Sequence, residues 1–146
     1  VSVASTAKAS LVGASGVLAG LLPGVVVGYS PSKNSPREEV YAGDVAGPVT
    51  LQAFAGGGRV RRSEELSFPL VIRVYKPGQE TTETAEARAD EIGDVIGDYI
   101  AANWTLGDLA ELKKATVAAV ALAGWIDDDG AGAVLTLTVE LMSYRT

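Results

Sequence analysis

Apolar and polar positions alternate through residues 65 to 75. Leu66, Phe68, Leu70, Ile72 and Val74 fall on one side, and Glu65, Ser67, Pro69, Val71, Arg73 and Tyr75 on the other. A period of two predicts a long strand with one buried face. After the turn residues Lys76, Pro77 and Gly78 the period changes. Ala85, Arg88, Ala89, Ile92, Val95, Ile96, Tyr99 and Ile100 recur at helical spacing, and all but Arg88 are apolar or aromatic. This stripe predicts a long helix folded back over the strand.

The flanking segments read less sharply. Residues 3 to 22 place Val3, Ala7, Leu11, Ala14, Leu18 and Leu21 at helical spacing and predict one first helix, ended by Pro23 and Gly24. The β-branched run at 25 to 29 predicts a short strand. Residues 38 to 45 predict a second strand, with Val40 and Ala42 on one side, Tyr41 opposite, and a bulge at Gly43 and Asp44. Residues 47 to 64 read as an extended hairpin arm, because Thr50 to Phe54 runs into glycines and then into Arg59, Arg61 and Arg62. Residues 105 to 113 suit a loop or a helical turn. The Val- and Ala-rich run at 114 to 126 fits strand or buried helix on periodicity alone. The turn at Asp127, Asp128, Asp129 and Gly130 favours a hairpin. Beyond it Leu135, Leu137, Val139 and Leu141 alternate with Val134, Thr136, Thr138, Glu140 and Met142.

The expected order is α-β-β-(β)-β-α-β-β in a single domain over residues 1 to 146. This is an α+β fold, a two-layer sandwich with a mostly antiparallel sheet of four to five strands and two helices on one face.

Composition then narrows the function. The chain has 146 residues, 47% apolar and 21% charged, as in ordinary globular domains. It has no Cys and no His. That removes thiolate chemistry, zinc–thiolate sites, and the commonest general base and transition-metal ligand. The net charge of −6 argues against a surface built for nucleic acid. Lys8 and the apolar stretch 11 to 22 loosely resemble a signal peptide, but Gly13, Ser15, Gly16 and Gly20 interrupt it. Nothing reaches the ~18–20 unbroken apolar residues of a membrane span.

Candidate chemistry is sparse. Asp127, Asp128 and Asp129 lack the alternate ligand spacing of a calcium loop and read as a hairpin turn. Gly56, Gly57 and Gly58 beside three Arg lack the Lys-Ser or Lys-Thr of a phosphate-binding P-loop, and a strand follows instead of a helix. No catalytic residue, cofactor or metal is expected. The predicted helix region is strongly acidic, with Glu80, Glu83, Glu86, Asp90, Glu91, Asp94 and Asp98 against Arg88 alone. A solvated face is the ordinary reading. The basic arm nonetheless makes a complementary patch, and in a ring of identical subunits the two can meet between neighbours. The candidate subunit interface is therefore Gly56, Gly57, Gly58, Arg59, Arg61 and Arg62 against Glu83, Glu86 and Asp90.

Taken in order, the motifs resemble a known family. The cues are an N-terminal helix, the short strand Val27-Gly28-Tyr29, and a strand holding Glu38, Val40, Tyr41, Gly43, Asp44 and Val45. An arm ending in Arg59, Arg61, Arg62, Ser63, Glu64 and Glu65 follows, then the long strand, the acidic helix and a closing hairpin. Over residues 21 to 144 the chain resembles tail terminator proteins of long-tailed bacteriophages, particularly those of actinobacteria. The resemblance implies a virion structural protein, made in the host cytoplasm, that forms a hexameric ring. Such a ring caps the tail tube, ends its polymerisation and joins the tail to head-completion or neck proteins. Genomic DNA would pass through the channel without sequence-specific binding, and no membrane is involved. A head-closure (stopper) or other neck protein is the nearest alternative. A small cytosolic ligand-binding α+β domain is the alternative from another class.

Overall fold

The computed structural model describes residues 3–34, 36–47, 49–54, 60–107, 109 and 112–145. Its organising element is the strand β4 (Val60–Pro77), 18 residues long. The predicted alternation holds, since Phe68, Leu70, Ile72 and Val74 are all buried. The final strand β6 (Gly130–Arg145) runs antiparallel to β4 from Arg62 opposite Arg145 to Pro77 opposite Gly130. Ile72 therefore faces Leu135, Leu70 faces Leu137 and Phe68 faces Val139. Two alternating patterns merge into one apolar surface.

The remaining strands complete a mixed sheet in the order β1-β2-β4-β6-β5, with β3 paired to β4 beside that path. The strand β1 (Val26–Gly28) is parallel to β2 (Glu38–Ala42), and every other pairing is antiparallel. The strand β2 stops at Ala42 instead of continuing to Val45. Its partner beyond that point is Pro69, whose carbonyl accepts from the Gly43 N–H at 2.8 Å but which has no N–H to return. Pairing resumes only at Ala46, which bridges Ser67. The strand β3 (Val49–Phe54) lies against the first residues of β4 and forms a hairpin whose turn, 55–59, falls outside the described residues. The ambiguous run after residue 112 is a strand, β5 (Leu112–Ile126), hairpinned to β6.

The long helix α3 (Thr82–Ala102) covers the apolar surface. Thr81 caps it by accepting a hydrogen bond from the Thr84 N–H at 3.3 Å. Ala85, Ala89, Ile92, Gly93, Ile96 and Ile100 are buried beneath it. Val95, expected in the stripe, is 38% exposed, because the buried arc is narrower than the sequence pattern suggests.

The N-terminal segment departs from its expectation. Residues 3 to 22 form two helices, α1 (Val3–Val12) and α2 (Val17–Leu21). Two glycines within four residues supply the break, each costing up to ~1 kcal/mol of helix stability against Ala. The Gly13 N–H still reaches the Ala9 carbonyl at 3.0 Å, but the Gly16 N–H turns to Gly13 at 2.8 Å. The extra helix makes the order α-α-β-β-β-β-α-β-β. Ala7, Leu11, Val12 and Leu18 are buried in the same hydrophobic cluster as Val40, Ile72 and Ile96. Each fully buried Leu or Ile there contributes roughly 1.5–3 kcal/mol, so helices and sheet hold one another. Lys8 is also buried, its ammonium 4.3 Å from the centre of the Tyr29 ring.

The approach of α3 to the sheet uses two missing side chains, at Gly93 on the helix and at Gly124 of β5, against which Thr82 and Glu86 lie. A Cβ on Gly93 would stand 2.5 Å from Leu135 Cδ2, whereas one on Gly97 would meet nothing within 4 Å. Gly93→Val is expected to cost about 1–3 kcal/mol by overpacking. Gly97→Ala is expected to be neutral or to stabilise by up to ~1 kcal/mol through helix propensity. Urea unfolding midpoints of the two variants check both signs.

Candidate functional site

The sheet ends in a strand whose composition contradicts its position. Residues 115 to 126 contain no charged side chain and no Pro, the composition of a strand covered on both faces. Yet β5 is the last strand of the sheet. Leu112 and Ala115 at its start are buried, and residues 118 to 126 are exposed. Val120 is 64% exposed, Leu122 41% and Ile126 69%. Their partners are Leu137, Leu135 and Ala131, so they stand on the side of the sheet that α3 covers, yet α3 leaves them exposed. Trp125 turns to the opposite face and lies across Gly132, where any Cβ would collide with the indole ring. Exposed apolar residues are common singly, but a contiguous run along an edge marks a contact surface.

An acidic row borders this strip. Asp90, Asp94 and Asp98 line a shallow groove with Val117 and Val120, and Glu86 lies beside Thr82 against Gly124 of β5. The buried stripe of α3 aims them there, and an ionic contact to the sheet reinforces that rotation. Arg88 reaches across to β2 and makes a bidentate contact with Glu38, Nε to Oε2 at 2.7 Å and Nη2 to Oε1 at 3.0 Å. Its Nη1 also reaches Glu91 at 3.0 Å. The one cation of the acidic helix is therefore a clamp to the sheet, which explains its place within the apolar stripe. The hydrogen bonds from Arg88 hold the Glu38 carboxyl below its ordinary value of 4.5, against a smaller opposing effect of burial.

The predicted interface residues fall in two places. Glu83 is exposed in the first turn of α3, with Glu86 and Asp90 one and two turns on. Arg61 and Arg62 belong to β4, with Arg62 opposite Leu51 of β3 on one side and Arg145 of β6 on the other. Gly56, Gly57, Gly58 and Arg59 lie outside the described residues. The basic arm sits at the β3 side of the sheet and the acidic row at the β5 side, so one copy does not bring them together. Sequence reasoning missed the edge itself. Its signal was present in the uncharged run ending at Ile126, which reads as buried until the sheet order puts it outermost.

Other candidates resolve into structure. Asp127 spends its carboxylate on its own turn, Oδ1 accepting from the Asp129 N–H at 2.9 Å and the Gly130 N–H at 2.8 Å. Among the described residues no three acidic side chains are placed to hold a metal ion. None of the described helices is long and apolar enough to cross a membrane. A groove of about 610 Å³, open to solvent, runs between the end of α3 and the start of β5, lined by Ile100, Trp104, Lys114 and Val117. No protein-family model matches the chain, and no curated protein sequence does.

The Arg88 clamp has a defined pH signature. A carboxyl whose folded value is depressed stabilises fully above its unfolded value and loses that contribution as pH falls through the folded one. Glu38→Gln is expected to cost about 1 kcal/mol at pH 7, the scale of a part-exposed bidentate pair. The difference from wild type should shrink well below pH 4.5. Urea unfolding at pH 7 and pH 3 measures both.

Proposed function

We propose that this chain is an assembly protein that forms a closed ring of identical copies and serves as the tail terminator of a long-tailed bacteriophage. The phage assignment rests on the ordered motifs from the Val27-Gly28-Tyr29 strand to the closing hairpin. The observation that carries the assembly reading is the placement of complementary surfaces on opposite sides of one sheet. The acidic row Glu86, Asp90, Asp94 and Asp98 borders an exposed apolar edge. The strand holding Arg61 and Arg62 lies toward the other edge, beside β3. Patches that match each other but not themselves make heterologous contacts, and such contacts close into rings when the rotation allows.

A ring of this kind would act mechanically. A ring whose two faces differ can seat one face on the open end of a tail tube and offer the other to head-completion proteins. It thereby stops tube growth without any chemical step. A net charge of −6 suits a channel for DNA, since each Lys or Arg on a phosphate would retard the passing duplex. The groove beside Trp104 is open rather than enclosed, which favours a docking surface over a ligand pocket.

Light scattering behind a sizing column tests this reading. Six copies of the 15.0 kDa chain, about 90 kDa, are expected for the ring. Reversing Arg61 and Arg62 to Glu should shift the mass to that of one chain while leaving the circular dichroism spectrum unchanged. A wild-type chain that stays monomeric and does not bind the ends of purified tail tubes would overturn the proposal.

A further inference from the structure

The exposed edge of β5 has a specific geometry. Its outer side is covered only at the beginning, where the Ala115 N–H donates to the Trp104 carbonyl at 2.8 Å. A register shift follows between Val117 and Ala119. From Ala119 opposite Thr138 to Ile126 opposite Ala131 the strand then runs without interruption. Nothing among the described residues pairs with the outer side of this stretch. Eight residues at ~3.3 Å each give a straight edge of about 26 Å, with backbone donors and acceptors free on one side. Natural edges are blunted by charges, Pro or bulges. Here the bulge precedes the free segment, and the charges, Lys113 and Lys114 before it and Asp127, Asp128 and Asp129 after it, only bracket it.

We infer that residues 119–126 of β5 receive the β3 strand of a second copy, so that the sheet continues from subunit to subunit through main-chain hydrogen bonds. Three observations select this occupant. First, β3 is six residues long, pairs with β4 on one side only among the described residues with a register shift between Leu51 and Phe54, and so carries a second edge short enough to fit within the eight. The other outer strand, β1, offers three residues. Second, β3 is hairpinned to the strand that carries Arg61 and Arg62, which brings positive charge to the acidic row on α3. Third, the symmetric alternative, β5 against β5, would set the acidic rows of two α3 helices facing each other, and like charges across an interface disfavour it.

The directions fit as well. Through β4 and β6, β3 is antiparallel to β5, so a second copy in the same orientation adds β3 as an antiparallel neighbour. The levels do not coincide within one copy. The strand β3 faces residues 60–64 of β4, whereas the free segment of β5 lies, through β6, at the level of residues 69–76. Pairing therefore offsets the second copy along the strands, and in a ring built this way the strands run obliquely to the axis. This inference rests on the self-assembly proposed above and adds the surface through which it occurs.

A chain without Cys allows a direct test by introduced cysteines and a short bis-maleimide cross-linker. Gln52→Cys in β3 is combined in turn with Ala119→Cys, Ala121→Cys and Ala123→Cys, all small exposed positions of β5. At least one combination should give a ladder beyond the dimer on a denaturing gel, converting most of the chain, while each single variant stays monomeric. Dimers from a single β5 variant would show β5 meeting β5 and overturn the inference. A wild-type ring by light scattering with no ladder from any combination would overturn it while leaving the assembly reading intact. A monomer by light scattering with no ladder would end both. In parallel, Val120→Lys with Leu122→Lys should reduce the assembled mass to one chain. Because those changes can disturb folding, the cysteine series decides.

Discussion

A strand eighteen residues long must satisfy hydrogen bonds on two sides and cover an apolar face, and β4 sets the rest of this molecule by those needs. One side is met along nearly its whole length by β6. The other is shared, β3 taking the first residues and β2 the later ones, with the break where Pro69 withholds its N–H. The apolar face of Phe68, Leu70, Ile72 and Val74 is closed by helices, and α3 approaches closely because position 93 carries no side chain. The turn between β4 and α3 is tied to the β5–β6 hairpin by the Gly78 N–H, which donates to the Asp129 carbonyl at 2.8 Å. The helix, the turn and the outermost hairpin are thus joined through the backbone.

How much of this is legible in the sequence depends on how strictly the pattern obeys a period. The alternations at 66 to 74 and 135 to 141 identify β4 and β6 with the correct buried faces, because a one-residue slip would turn every apolar side chain to water. The helical stripe ending at Ile100 identifies α3 for the same reason. The first helix misleads because Val3, Ala7, Leu11 and Leu18 keep helical spacing across a break that only the weak propensities of Gly13 and Gly16 mark. The end of β2 escapes because Pro69, which causes it, lies some twenty-five residues away on another strand. Long-range pairing is invisible to local patterns.

Arg88 shows the same limit at a single residue. In a stripe of apolar positions it reads as an exception, and its reason lies on β2. Glu38 stands on the face that α3 covers, opposite Val74, and a guanidinium is long enough to leave the helix and meet it in a bidentate pair. A lysine at that position could offer only a point charge. This pair and the buried face of Ala85, Ala89, Ile92, Ile96 and Ile100 together fix the rotation of α3, which decides which carboxylates look toward β5.

The candidate surface was the least legible part, and the difficulty is informative. An uncharged run of Val, Ala and Leu is ambiguous in sequence because it says that water is excluded without saying by what. In β4 and β6 the answer lies within the chain. In β5, from Ala119 onward, the answer is incomplete, since α3 lies against Gly124 but leaves Val120, Leu122 and Ile126 exposed, and no further strand follows among the described residues. Had the edge served only to end the sheet, a single lysine in residues 119–126 would have protected it from non-specific pairing at almost no cost to the fold. Its absence, beside a row of carboxylates, fits the contact surface proposed above. Backbone pairing alone would accept any extended strand, and in the proposed assembly the acidic row would favour a strand that arrives with positive charge. In the proposed assembly, apolar strip and charge together would supply affinity and selectivity on one edge, as copies that add to one another in a fixed order require.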